Sequence, residues 1–105
     1  MKVCPYLHYS FQVLGKKWNG LIIHYLSLQP DNKAHFTDIK RDLGEITPRA
    51  LSIKLTELIE YGLIRKQVNS STPIVISYEL TNKGIELTKA LAPVQQWAAQ
   101  FMEKE

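Results

Sequence analysis

Residues 46–66, ITPRALSIKLTELIEYGLIRK, read as a turn, one amphipathic helix and the start of a strand. Thr47 is a good N-cap, because its hydroxyl can accept from a free backbone N–H of the first turn. Pro48 fits the first helical position, where no N–H is needed. Leu51, Leu55, Leu58 and Ile59 recur at i, i+4, i+7 and i+8 and so form one buried stripe. Gly62 can take the left-handed conformation that ends a helix. Arg49, Ile53 and Thr56 then point away from the stripe, with Ser52 and Lys54 on its flanks. A cation, hydroxyls and an exposed isoleucine on one helix face suit a DNA major groove. The cation can reach phosphate or guanine, the hydroxyls base edges, and the isoleucine a thymine methyl. The plain alternative is an ordinary amphipathic helix with a solvated outer face, and this helix taken alone favours it.

Outward from this stretch, the period changes. Leu63 to Val68 reads as a strand containing Arg65 and Lys66. Residues 69–73 (NSSTP) read as a turn. Ile74, Ile76, Tyr78 and Leu80 alternate with Val75, Ser77 and Glu79, a second strand that completes a hairpin. On the other side, Thr37 can cap a short helix carrying Ile39 and Leu43, and Asp38 in its first turn suits the helix dipole. Residues 43–46 (LGEI) are then a glycine-containing turn. Two short helices joined this way are the pattern of a helix-turn-helix, and the hairpin after them makes the order that of a winged helix.

Further out, Pro5 opens a first helix with Leu7, Phe11 and Leu14 on one side, stopped at Gly15. A second helix after Lys16 and Lys17 buries Trp18, Leu21, Ile22, Tyr25 and Leu26, and residues 30–32 (PDN) end it. Phe36 pins a short extended piece. A last helix starts at Thr81, with Leu80 and Ile85 as a hydrophobic staple. Leu87, Leu91, Val94, Ala98 and Phe101 repeat along it at near-heptad spacing, widened by Ala90, Trp97 and Met102. Pro93 implies a kink or restart. So long an apolar face exceeds what a small body can cover, and it is expected to pack on a second copy. The alternative is that it folds back on its own core.

The chain has 105 residues and is expected to be one domain, 1–105. Its formal charge is +3 and its pI about 9.0, which allows nucleic-acid binding without demanding it. Residues 1–66 carry a net +4 and residues 67–105 a net −1, so the basic excess lies with the helix quoted first. The single cysteine, Cys4, rules out an intrachain disulfide framework and suits a reducing compartment. No signal peptide is visible, and no apolar run approaches the ~20 residues that span a bilayer. A cytoplasmic protein with no membrane contact is expected.

Catalysis finds no support: there is no nucleophile–base–orienter set and no glycine-rich phosphate loop, and no enzyme is expected. No metal and no cofactor are expected either. Cys4 and His8 lie four apart, but two ligands do not close a zinc site, and His24 and His35 lack ligand spacing. Trp18 and Trp97 are most simply core and interface anchors.

As an ordered set, residues 4–5 (CP), 15–18 (GKKW) with Leu21 and Ile22, 36–39 (FTDI), 46–51 (ITPRAL), 58–63 (LIEYGL), 78–84 (YELTNKG) and 91–94 (LAPV) with Trp97 and Ala98 resemble the HxlR family of bacterial winged-helix transcriptional regulators. The resemblance spans residues 4 to 100. It implies an α+β, mostly helical fold: a helix-turn-helix at about 37–61, a wing at about 63–80, and dimerisation helices at about 5–14 and 82–103. It further implies a homodimer whose fourth helix enters the major groove of double-stranded DNA, with the wing near the adjacent minor groove. Carried over, Thr47, Arg49, Ser52 and Lys54 are DNA contacts. The full candidate set adds Pro48, Ile53 and Thr56 on the helix, Arg65 and Lys66 in the strand, and Ser70 and Ser71 at the wing tip. Leu7, Phe11, Leu87, Leu91, Val94, Trp97, Ala98 and Phe101 are the candidate dimer interface.

Some family members sense oxidants or electrophiles through an N-terminal cysteine, and Cys4 stands there. Its bland alternative is a small apolar residue packed under the interface, since no resolving cysteine is present. A small-molecule or oxidant effector is therefore a candidate partner. One departure stands out: family wings often carry an arginine near the proline-containing tip, and here Ile74 follows Pro73. A weaker wing contact is expected, with more of the electrostatics left to Arg65, Lys66 and the helices. The competing function is a winged-helix protein-interaction module with Ile53 as an apolar anchor. Arg49 as a solvated arginine, and Lys54 paired with Glu57 or Glu60, are the plain alternatives at those positions.

Overall fold

The structure, a computed structural model, describes residues 2–102. In chain order it has α1 (Pro5–Leu14), α2 (Asn19–Ser27), a 3-10 turn (Pro30–Asn32), β1 (Lys33–His35), α3 (Phe36–Leu43), α4 (Pro48–Glu60), β2 (Ile64–Asn69), β3 (Val75–Leu80) and α5 (Asn82–Phe101). This is the α+β, mostly helical winged helix-turn-helix. Residue 103, which the expected last helix included, lies outside the described residues, and α5 ends at Phe101.

The caps explain most of the boundaries. Thr47 Oγ1 accepts from Ala50 N at 3.1 Å and Pro48 takes the first position of α4. Gly62, at φ +75, ends that helix in the left-handed region. Thr81 Oγ1 accepts from Gly84 N at 3.2 Å and starts α5. Leu51, Leu55 and Leu58 of α4 meet Ile22, Ile23 and Leu26 of α2, Ile39 of α3, and Ile64, Tyr78 and Leu80 of the sheet in one core.

Two expectations change and two are sharpened. Thr37 is not the cap of α3; the cap is His35, two residues earlier, where the Asp38 carboxylate accepts the His35 N–H at 3.3 Å. Leu21 is 55% exposed, while Ile23 is fully buried. Trp18, at φ 82, sets α2 in a phase that turns Asn19, Ile22, Ile23 and Leu26 inward. The extended piece before Phe36 is a third strand: β1 pairs antiparallel with β3, Ala34 opposite Tyr78, giving the order β1-β3-β2. Of the kink or restart expected at Pro93, the restart does not occur, since α5 runs through it as one helix. Its missing N–H leaves the Lys89 carbonyl unpaired, and that turn is solvent-exposed, so water can satisfy it.

The hairpin alternates as expected, but its burial fades outward. On its inner face Ile64 lies opposite Leu80, Lys66 opposite Tyr78 and Val68 opposite Ile76. Leu80 and Tyr78 are buried, whereas Val68, Ile76 and Ile74 are exposed. The wing therefore projects beyond the body. Among the described residues no helix is long and apolar enough to cross a membrane.

Candidate nucleic-acid interface

The outer face of α4 presents Arg49, Ser52, Ile53 and Thr56, all exposed, at i, i+3, i+4 and i+7. Ile53 is 52% exposed, a large apolar side chain held in water on an otherwise polar face. Ser52, Ile53 and Thr56 line a shallow depression of about 360 Å³ that continues to Glu57 and Glu60. The N-terminal half of the face thus carries the cation and hydroxyls, and the C-terminal half two carboxylates. Phosphates attract the first and repel the second.

The remaining candidates divide. Thr47 is exposed but its hydroxyl oxygen is occupied by the cap, and Pro48 sits exposed beside it. Lys54 is only 20% exposed and lies 3.9 Å from Glu57, the ion-pair alternative at this position. Arg65 is not free either: its Nε donates to Glu79 Oε1 at 3.1 Å, and Gln67 Nε2 donates to the same oxygen at 2.9 Å. Lys66, on the opposite face of the strand, is exposed and in none of the ion pairs among the described residues. Ser70 and Ser71 are exposed at the tip, where the Ser71 N–H donates to Asn69 Oδ1 at 3.0 Å. Of the two candidate wing cations, Arg65 is thus paired with Glu79 and Lys66 is not.

The candidate dimer residues lie on two helices. Leu7 and Phe11 on α1, and Val94, Trp97 and Phe101 on α5, are exposed; Leu87, Leu91 and Ala98 are half-buried. The rings of Trp97 and Phe101 are 6.0 Å apart. Cys4 is exposed at the N-terminus of α1.

Sequence reasoning missed the polar group behind α4. Asn19 is completely buried; its Nδ2 donates to Val13 O at 2.9 Å and to Glu57 Oε1 at 3.0 Å. Lys16 Nζ reaches the same carboxylate at 3.1 Å. The one available signal was phase: Asn19 falls in register with Ile22, Ile23 and Leu26. The Asn19 hydrogen bond, then Lys16, holds the Glu57 carboxyl below its ordinary value of 4.5. A depressed carboxylate contributes stability that is present above its unfolded value and lost as pH falls through the folded one. The stability gap between the parent and Glu57→Gln is therefore expected to shrink as pH drops below about 4.5. Urea unfolding of both proteins across that range checks it; a gap independent of pH would remove the charge from the account. On the far side of α2, Tyr25 Oη donates to Asp42 at 2.6 Å, tying α2 to α3. Burial, followed by that bond, pushes the Tyr25 phenol up to about 12.

The sequence pattern of the HxlR-like helix-turn-helix family matches residues 13–105. The chain is 38% identical over 101 residues to the HTH-type transcriptional regulator YodB of Bacillus subtilis, covering 96% of this chain and 88% of that protein. The reduced form of YodB superposes with a TM-score of 0.84 at 37% identity, over 96% of both chains. Its quinone-bound form gives 0.78 at 38% identity, over 93% and 100%. The redox regulator HypR in its oxidised form gives 0.82 at 27% identity, over 96% and 100%.

Proposed function

The chain belongs to the HxlR-like helix-turn-helix family of transcriptional regulators, and we propose that it acts as a homodimer that reads a near-palindromic DNA site with α4. The observation that carries this is the outward stripe Arg49–Ser52–Ile53–Thr56, held exposed on a firmly capped helix. Each subunit places α4 in a major groove, and the half-sites lie about one helical turn or a multiple apart. Lys66, Ser70 and Ser71 meet the flanking backbone from the wing. The exposed faces of α1 and α5 form the subunit interface. The protein works in the cytoplasm on chromosomal DNA, and no catalytic step and no cofactor are assigned to it.

Selection of bound sites from random duplexes should return a palindrome, and affinity should fall steeply with salt. Exposed Ile53 would equally suit an apolar protein partner; a flat salt dependence without sequence preference would favour that alternative. Arg49→Ala is expected to lower affinity for an isolated half-site about 10- to 100-fold, the worth of a good base contact, and affinity for the full site by more, since the loss enters twice. Affinity for unrelated DNA should change far less. Equal losses on the half-site and on unrelated DNA would make Arg49 a phosphate contact only, and no loss would remove it from the interface.

The solved forms of YodB and HypR support a response to electrophiles or oxidants, and Cys4 is the residue that would carry it. Its exposed thiolate would add to a quinone ring carbon by conjugate addition, forming one S–C bond and leaving the ring as the hydroquinone after proton uptake. Treatment with a quinone is expected to release the protein from its operator, and Cys4→Ser to abolish the release. A serine variant that still lets go would end the role of Cys4.

A further inference from the structure

Two polar bridges run from α1 to the C-terminal end of α4. In the first, Asn19 joins the Val13 carbonyl of α1 to Glu57 in the last turns of α4, with Lys16 bound to the same carboxylate. In the second, Lys83 Nζ donates to Tyr9 Oη of α1 at 2.9 Å and to the Tyr61 carbonyl, immediately after α4, at 2.6 Å. The rings of Tyr9 and Tyr61 meet edge to face at 6.4 Å beside it. Apolar packing does only part of this job: Val13 is the one buried residue of α1 in the core. Next to Val13 a half-open cavity of about 290 Å³, lined by Tyr9, Ser10 and Leu14 of α1, Leu63, and Lys83, Glu86 and Leu87 of α5, lies between α1 and the start of α5. A packed wall would fix the angle between α1 and the body by itself, whereas one with a void leaves part of it to directional contacts.

We propose that Glu57 and Lys83 are positioning residues that fix the angle between α1 and α4, and so the spacing between half-sites that the dimer accepts. The inference rests on the dimeric DNA-reading function above. Neither residue serves as a DNA contact. Glu57 is a carboxylate, which phosphate repels, and the Lys83 amine is bound to Tyr61 and Tyr9. In a two-fold dimer joined through α1 and α5, a change of that angle in each subunit moves the two reading helices relative to each other. The contacts each helix makes with its own half-site are left alone.

The test is a set of palindromic duplexes with identical half-sites whose separation varies by single base pairs, together with an isolated half-site. The parent is expected to prefer one separation by about tenfold or more over its neighbours. Glu57→Met with Lys83→Met removes both acceptor and donor and should narrow that preference to about two- to threefold, while half-site affinity stays within about twofold of the parent. A folded double variant with the parental preference overturns the inference and leaves the DNA-reading function standing. So does a loss of half-site affinity equal to the loss on the full site, because the bridges would then merely hold α4 in place. Lys83→Met alone removes an exposed side chain and keeps the result decisive if the double variant does not fold: its preference should still narrow, and an unchanged one overturns the inference. A parent indifferent to separation overturns the dimeric reading and this inference with it.

Discussion

Gly84→Ala is expected to destabilise the subunit by about 2 kcal/mol net. A Cβ at this position would stand 2.2 Å from the Leu63 carbonyl oxygen and 3.2 Å from its carbon, with Leu80 Cδ2 at 3.1 Å. The nearest atoms belong to backbone, so no side-chain rotation relieves the clash. Nor can that backbone retreat freely: Leu63 O accepts the Thr81 N–H at 3.0 Å, and Thr81 Oγ1 both donates to Gly62 O and caps α5 through Gly84 N. Relief requires the first turn of α5 to back away from the hairpin, breaking its own cap. Overpacking of this kind costs about 3 kcal/mol, and alanine returns ~1 kcal/mol through helix propensity. Against the ~5–15 kcal/mol of a typical domain this is a large share. Denaturant unfolding should show a lowered midpoint at unchanged slope, and a midpoint within error of the parent would mean that α5 is not seated as described.

Much of this architecture is legible in the chain because it is decided locally. Thr47, Pro48 and Gly62 delimit α4 through cap chemistry that needs no tertiary information. The alternation from Ile74 to Leu80 fixes which hairpin face turns inward. The stripe Arg49–Ser52–Ile53–Thr56 follows from the helical period once Leu51, Leu55 and Leu58 are assigned inward. What was not legible depends on partners distant in sequence. Ala34 is a strand residue because Tyr78 lies opposite it. Arg65 loses its freedom to Glu79, a pairing that only the register reveals. The phase of α2 hangs on one left-handed residue, Trp18, which no periodicity announces. Gly84 looks like a weak helix residue until Leu63 is found against it. Asn19 carries the same lesson in polar form: its buried amide nitrogen is satisfied by a carbonyl and a carboxylate from two other helices.

Trp97→Glu combined with Phe101→Glu should convert the protein to a folded monomer and strip it of most of its operator affinity. The two rings are 65% and 66% exposed in the single subunit and lie on one helix with Val94, also exposed. Nothing in the subunit's own core depends on them, since α5 is anchored through its first turns by Gly84, Ile85 and Leu87. Helicity and the unfolding slope should therefore stay close to the parent's. In an isologous interface each substitution enters twice. An aromatic anchor lost from an interface centre costs ~2 kcal/mol or more, so Trp97 alone should weaken the dimer by about 4 kcal/mol, roughly a thousandfold. Losing the second subunit turns a bivalent contact into a monovalent one, which costs operator affinity about 10²–10⁴-fold, while an isolated half-site should bind as before. Sedimentation together with duplex titrations separates the cases. A variant that stays dimeric would move the subunit contact away from the end of α5. A monomer that still holds its full operator tightly would mean that one α4 and one wing suffice, and that the apolar face of α5 has some other occupant.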